Sequence, residues 1–211
     1  MKKIVRPGLN FSTAFAFSQA RYKNISWDDF GKVYPMEKRK LKCQLLKMQH
    51  GRCAYCECLL VREKNFGHIE HLVRRDRNIL RTYSWCNLFV SCNNQISCGK
   101  WKDCKGKGRN MSVDGIYAPD DVYIDVADKF IYSSDGRMLP RKLDDEKAKK
   151  TIDIFNLNAP NLVNKRRKII EEILNLARLG INFKIEELIN EMSIGVGFDS
   201  CVSFFAKNLI R

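Results

Sequence analysis

The sequence predicts an α+β protein in which a short, cysteine-rich hairpin and helix are covered by helices from both ends of the chain. Eight of the nine cysteines cluster before residue 105. Short apolar runs at 69–73 and 87–91 have the length of strands, whereas apolar residues elsewhere recur at helical spacing. We therefore divide the chain into a helical segment 1–51, a central core 52–110 and a mostly helical region 111–211, and expect one compact domain.

Helices are predicted on both sides of the core. Leu41, Leu45 and Met48 are spaced four and three residues apart, which predicts a helix over 36–49 that ends before Gly51. A turn at Asp135 and Gly136 follows strand-like pieces. Further helices are predicted at 98–105, 162–179 (ended by Gly180), 186–192 and 202–210.

The charge of the chain is strongly positive. Lys and Arg number 38 against 24 Asp and Glu, a formal net charge of +14, which favours nucleic acid or an anionic membrane surface as partner. A merely basic cytosolic protein is the alternative. The sequence has no apolar stretch long enough to span a bilayer and no apolar run behind its first residues, so we expect a cytoplasmic protein without a membrane partner.

The cysteine pattern indicates a metal site. Disulfides are disfavoured inside cells, and two close cysteine pairs supply the four soft ligands that Zn²⁺ takes in a tetrahedron. We predict a structural zinc ion held by Cys53, Cys56, Cys92 and Cys98. Cys58 and Cys104 are alternative ligands, and metal-free buried cysteines remain an alternative. A redox C-x-x-C is not favoured, since the expected βαβ setting is missing from the pattern.

A candidate base lies between the cysteine pairs. His71 follows Glu70 on a predicted strand, and Asn87 opens the next one. Histidine suits general-base activation of water, a carboxylate suits a divalent cation, and an asparagine can hold the imidazole in one tautomer. Alternation on the strand puts His68 on the side of Glu70 and opposite to His71, and His68 is expected to be a bystander. His50 is expected to belong to the end of the preceding helix.

These residues together resemble the HNH, or ββα-metal, nuclease motif with its zinc knuckle. The order is Cys-x₂-Cys, then Glu-His, then Asn-Leu, then the second cysteine pair and a lysine. The chain resembles one branch in particular, the HNH subunit of Septu-type and retron-linked anti-phage systems. Gln49 to Glu57, Trp85 to Cys92 and the late segment from Thr151 to Asn158 fit that branch, so the resemblance covers most of the chain.

The resemblance implies specific roles. His71 would be the general base, Glu70 a ligand of a catalytic Mg²⁺ or Mn²⁺ ion, and Asn87 the residue that orients the base. The general motif has Asn or His after the fourth cysteine as a metal ligand, whereas this chain has Gly99. Asp103, four residues further on the same helix face, is the substitute, with Asn93 and Asn94 as rivals.

Basic residues surround the predicted site. We expect contacts to nucleic-acid phosphates from Arg74, Arg75, Lys100 and Lys102. Tyr55, Tyr83, Trp85 and Trp101 lie among them in the sequence and are candidates for stacking on unpaired bases. The basic run at 165–168 is equally consistent with a solvated helix face.

The sequence therefore predicts an HNH endonuclease that hydrolyses DNA or RNA. The resemblance implies an anti-phage effector controlled by a partner ATPase and, in the retron-linked form, joined by a reverse transcriptase with its RNA–DNA product. Two alternatives stay open. One is a non-catalytic zinc-finger module that binds nucleic acid, which Gly99 favours. The other is a subunit that only links the ATPase to another component.

Overall fold

The computed structural model describes residues 1–7, 22, 24–60, 67–179 and 185–209. Short 3-10 helices lie at Ile79–Arg81, Trp85–Asn87, Gly108–Asn110 and Val126–Lys129. The strands are β1 (His68–His71), β2 (Leu88–Ser91), β3 (Phe130–Tyr132) and β4 (Met138–Pro140). The helices are α1 (Trp27–Val33), α2 (Pro35–Met48), α3 (Cys98–Lys102), α4 (Glu146–Ile154), α5 (Pro160–Arg178), α6 (Ile185–Val196) and α7 (Asp199–Leu209).

The centre of the fold is an antiparallel hairpin of β1 and β2 followed by the short helix α3. His68 pairs with Ser91 and His71 with Leu88, so the register brings both ends of β1 against β2. All four residues of β2 are buried, which explains its uninterrupted apolar run. The predicted strands and the predicted helix start at Cys98 are confirmed.

Helix α2 is fastened to the hairpin by one buried amide. Gln49, directly after α2, donates from Nε2 to the carbonyl of Val90 at 2.8 Å and accepts the N–H of Val90 on Oε1 at 2.7 Å. The Gln49 side chain thus satisfies backbone groups of β2 that a neighbouring strand would otherwise bond. Leu41 and Leu45, which predicted α2, are both buried, and the predicted helix is confirmed.

The C-terminal half packs on the core through aromatic and hydrogen-bonded contacts. Phe155, after α4, stacks on Tyr55 with ring centroids 3.9 Å apart, and its carbonyl accepts the N–H of Cys98 at 2.7 Å. Arg166 of α5 is buried and donates to the carbonyls of Gly136 and Leu157, both at 2.7 Å. The bond to Gly136 ties α5 to the β3–β4 turn, and the bond to Leu157 ties it to the segment between α4 and α5.

The predicted helices after the core are confirmed as α5, α6 and α7, while α1 and α4 did not follow from the apolar spacing. Gly180, expected to end α5, and residue 210, at the end of the predicted last helix, lie outside the described residues. Within the described residues, none of the helices has both the length and the apolar character needed to cross a membrane.

Candidate functional site: a cysteine cluster beside a buried histidine and a charged triad

Four cysteine sulfurs converge behind the hairpin. The sulfurs of Cys53, Cys56, Cys58 and Cys92 all lie within 4.8 Å of one another, and all four residues are buried. Cys56 and Cys92 sulfurs are 4.0 Å apart, close to the edge of about 3.8 Å in a tetrahedron with Zn–S bonds of ~2.3 Å. The donor set therefore fits a metal such as zinc, as the cysteine spacing predicts.

Cys98 also contacts this cluster, so five thiols surround a site that needs four. Although a hydrogen bond with Cys53 opposes it, S–H donors from Cys56, Cys58 and Cys98 lower the pKa of Cys92 to about 5. The compact quartet contains Cys58 where the sequence predicts Cys98. The identity of the fourth ligand stays a prediction, and a pair of single substitutions tests it.

His71 lies at the end of β1 with its ring held by a backbone carbonyl. Its Nε2 is 2.9 Å from the carbonyl oxygen of Thr82. Because a carbonyl only accepts, Nε2 carries the proton and the lone pair is on Nδ1. Trp27 of α1 meets the imidazole edge to face, with centroids 4.6 Å apart. Burial lowers the pKa of His71 to about 4, although the Thr82 carbonyl opposes that shift. The ring is therefore a neutral base at pH 7.

Asn87 acts on His71 through the intervening loop. Its Oδ1 accepts the N–H of Val73 at 2.7 Å, and its Nδ2 donates to the carbonyls of Val73 at 2.9 Å and Arg81 at 3.0 Å. The HNH resemblance implies that Asn87 accepts the second N–H of His71, but in the structure the carbonyl of Thr82 accepts it. Since Arg81 directly precedes Thr82, Asn87 positions the carbonyl that holds the base.

Glu70 points away from His71, as neighbours on a strand do, and enters a charged triad with Lys102 and Asp103. Glu70 and Lys102 are 2% and 1% exposed. The ammonium of Lys102 lies 2.9 Å from Glu70 Oε1 and 2.5 Å from Asp103 Oδ1. Among the described residues, no hydrogen bond of regular geometry reaches Glu70 Oε1, so its contact with Lys102 is one of opposite charges.

His68 completes the surroundings of the triad. Its Nε2 lies 3.2 Å from Glu70 Oε2 and its Nδ1 lies 3.1 Å from Asn93 Oδ1. Burial alone would lower the pKa of His68, but the contact with Glu70 outweighs it and the pKa is raised. Burial likewise opposes ionisation of Glu70, yet the charge of Lys102 and the bond to His68 bring the pKa of Glu70 below its ordinary value. His68, expected to be a bystander, contacts the predicted acidic residue directly.

Gly99 leaves space for the Glu70 carboxylate. A Cβ at residue 99 would lie 2.4 Å from Glu70 Oε2 and 3.1 Å from Ser91 Oγ. The Gly99 N–H donates to Ser91 Oγ at 3.0 Å, which fixes the start of α3 against β2. The position that carries a ligand side chain in the general motif is therefore filled by Glu70 itself.

The predicted phosphate contacts divide into exposed and occupied groups. Lys100 and Arg75 are exposed, although Arg75 has Asp28 at 3.4 Å. Arg74 is largely engaged, donating to Asp76 and to the carbonyl of Arg109. The expectation that Lys102 contacts a phosphate is corrected, because its ammonium is buried in the triad and does not reach the surface. Sequence alone did not separate it from its exposed neighbours.

The aromatic residues suggested for base stacking are mostly internal. Tyr55, Tyr83 and Trp85 are buried, at 1%, 6% and 8% exposure, so they stabilise the core and are not available to unpaired bases. Trp101 is half-buried, with the ammonium of Lys107 4.6 Å from its ring centroid. Trp101 alone of these four retains an accessible ring.

The sequence comparisons agree with the family suggested by the motifs. The chain is 30% identical over 153 residues to the Septu protein PtuB of Bacillus thuringiensis. No protein-family model matches the chain. The match covers 69% of this chain and 53% of the relative, so the chain spans about half the length of the curated relative it matches. The expected similarity to a Septu subunit is thereby confirmed, and the chain is PtuB-like in sequence over most of its length.

Proposed function

We propose that this chain is an HNH endonuclease and the effector subunit of an ATPase-coupled, Septu-type antiviral defence complex. The observation that carries the proposal is the arrangement of His71, whose Nε2 donates to the Thr82 carbonyl and whose Nδ1 holds the lone pair. Further support comes from the order of the hairpin β1–β2 and helix α3, which resembles that of a ββα nuclease unit, and from a buried cysteine cluster that suits a bracing zinc ion.

The chemistry assigned to His71 is the removal of a proton from water. The water oxygen then bonds to phosphorus, the bond from phosphorus to the leaving nucleoside oxygen breaks, and that oxygen takes a proton from solvent. General-base catalysis contributes about 10²–10⁴ in rate. Asn87 supports this step by holding the loop that carries the Thr82 carbonyl.

The catalytic Mg²⁺ or Mn²⁺ implied by the resemblance does not fit this arrangement of residues. Its expected ligands, Glu70 and Asp103, both contact the ammonium of Lys102, and Gly99 offers no side chain. No step of the proposed reaction is therefore routed through a divalent cation. The zinc ion proposed for the cysteine cluster fits, and its role is to hold the hairpin against the preceding turn.

The proposed partners follow from the same similarity and from charge. A PtuA-like ATPase would control the nuclease, and a retron reverse transcriptase with its RNA–DNA product would join in the retron-linked form. The substrate is DNA or RNA, drawn by a net charge of +14 and by exposed residues such as Lys100 and Arg75.

Cleavage by the assembled complex tests the proposal. Wild-type and His71→Ala proteins, each co-purified with the partner ATPase, are given labelled duplex DNA, single-stranded DNA and structured RNA. We expect the wild-type complex to cut one of these substrates and His71→Ala to lose the cutting while zinc content and assembly are kept. Equal cutting by the two proteins would contradict the assignment of His71.

A second candidate function is supported by the charged triad. With Lys102 between the two carboxylates and Gly99 on the helix, the unit also suits a non-catalytic zinc module that binds nucleic acid. This alternative predicts salt-sensitive binding in both proteins, with no cutting by the wild-type complex on any of the three substrates.

A further inference from the structure

The buried ammonium of Lys102 lies between two carboxylates at the junction of β1 and α3. It is 2.9 Å from Glu70 Oε1 and 2.5 Å from Asp103 Oδ1, and the side chain is 1% exposed. A buried charge is tolerated when opposite charges and hydrogen bonds compensate it. Two carboxylates facing one ammonium meet that requirement. Lys102 is therefore held in its buried position by Glu70 and Asp103.

The second oxygen of Glu70 is also engaged. Glu70 Oε2 lies 3.2 Å from Nε2 of His68, whose other nitrogen faces Asn93. Each oxygen of this carboxylate therefore has a nitrogen neighbour from the chain itself. A divalent cation such as Mg²⁺ demands oxygen ligands at about 2.0–2.1 Å, and both Glu70 oxygens already face nitrogen groups at hydrogen-bond distance.

The backbone at Gly99 makes this arrangement possible. Any Cβ at residue 99 would come within 2.4 Å of Glu70 Oε2 and 2.6 Å of its Cδ. The carboxylate consequently rests against the first turn of α3, where it meets Lys102 one helical turn further on. Gly99 therefore removes one expected metal ligand and also leaves the space in which Glu70 pairs with Lys102.

We propose that Lys102 is the resident cation of the Glu70–Asp103 pair and takes the place of a divalent metal ion there. Its ammonium neutralises the carboxylates and repels a second cation from the same oxygens. The proposal rests on the proposed function only in regarding these residues as the cation position of a nuclease unit. The binding property itself is independent of whether the unit cuts.

Direct measurement of Mn²⁺ binding tests this inference. Zinc-loaded full-length chain is titrated with MnCl₂, and free Mn²⁺ is followed by electron paramagnetic resonance. Wild type is compared with Lys102→Met and with the matched control Lys100→Met, which removes an exposed lysine from the same helix. We expect Lys102→Met to gain one Mn²⁺ site per chain, at least tenfold tighter than any site in wild type or in the control.

The site gained by Lys102→Met should disappear again in the double variant with Asp103→Asn. Equal Mn²⁺ binding by wild type and Lys102→Met, or no gain in a folded Lys102→Met protein, would overturn the proposal. If Lys102→Met does not fold, wild type against Asp103→Asn decides, because Asp103 is half exposed and Glu70 still faces the ammonium of Lys102 in that variant. A wild-type Mn²⁺ site that Asp103→Asn removes would then overturn it, whereas no such site is the expected result.

The outcome is separable from that of the nuclease assay. His71 does not contact Lys102 in the triad and lies on the other side of β1, so His71→Ala should leave Mn²⁺ binding unchanged. Loss of the cleavage proposal with a Lys102-dependent metal site intact would leave this inference standing. The reverse combination would leave a nuclease with a metal-binding carboxylate pair.

Discussion

Replacing Glu70 by Gln removes one charge from the buried pair that Glu70 forms with Lys102. The two side chains are 2% and 1% exposed, with 2.9 Å between their charged atoms. Removing one partner of such a pair typically costs about 3–5 kcal/mol, because an uncompensated charge stays buried. Asp103 still contacts the ammonium, so we expect the lower end, about 3 kcal/mol of unfolding free energy. In a chain of this size that corresponds to a fall in Tm of roughly 6–12 °C.

A thermal-unfolding cycle on zinc-loaded protein measures this cost. The proteins are wild type, Glu70→Gln, Lys102→Met and the double variant, with Lys100→Met as the exposed control. Since the double variant buries no unpaired charge, its loss should be smaller than the sum of the single losses by about 1–3 kcal/mol. Additive losses, or a Tm of Glu70→Gln within ~2 °C of wild type, would show that the pair does not stabilise the fold.

Three further predictions address zinc, protonation and nucleic-acid binding. Elemental analysis should find one zinc per chain, and Cys58→Ser should release it more readily than Cys98→Ser, because Cys58 belongs to the compact quartet; the reverse order would support the ligand set predicted from sequence. His71, with a pKa of about 4, should remain neutral at pH 5.5 in an NMR titration. Its contribution to stability should be full above the ordinary histidine pKa near 6.5 and should be lost as the pH falls towards 4. A titration of His71 near pH 6.5 would show that burial does not lower its pKa. Binding to nucleic acid should weaken with salt, and Lys100→Met should reduce the slope of log K against log salt by about 1, whereas an unchanged slope would remove Lys100 from the interface.

The helices that the sequence predicts well are those whose apolar residues recur on one face of the helix. Leu41 and Leu45 bury one side of α2, and the long stripe of α5 buries Ile170 and Ile173. The hairpin followed from two short apolar runs flanked by cysteines. Helix α1, by contrast, has only seven residues, and its signal is a capping serine, Ser26, whose side chain accepts the N–H of Asp29. Such a cap marks where a helix begins, but it supplies no repeating apolar pattern from which the helix could be predicted.

Two kinds of signal in the sequence point to parts of the candidate site. Cysteine spacing reports a metal cluster directly, and the Glu-His pair reports a candidate base. The partner of His71 is a backbone carbonyl, at Thr82, and a backbone group has no signature in the sequence. Lys102 and Glu70 meet only because β1 and α3 pack together, so no local pattern distinguishes that lysine from the exposed Lys100.

The rate of a single turnover by a matched histidine variant tests whether His71 is the general base. His71→Gln removes the base but keeps an amide N–H that can donate to the Thr82 carbonyl, so the loop should stay in place. His50→Asn, on an exposed histidine with a positive φ of 51° that asparagine tolerates, is the control. In the complex with the partner ATPase, we predict that His71→Gln cuts about 10²–10⁴ times more slowly than wild type, while His50→Asn cuts at the wild-type rate. Cutting by His71→Gln at the wild-type rate would show that His71 is not the general base.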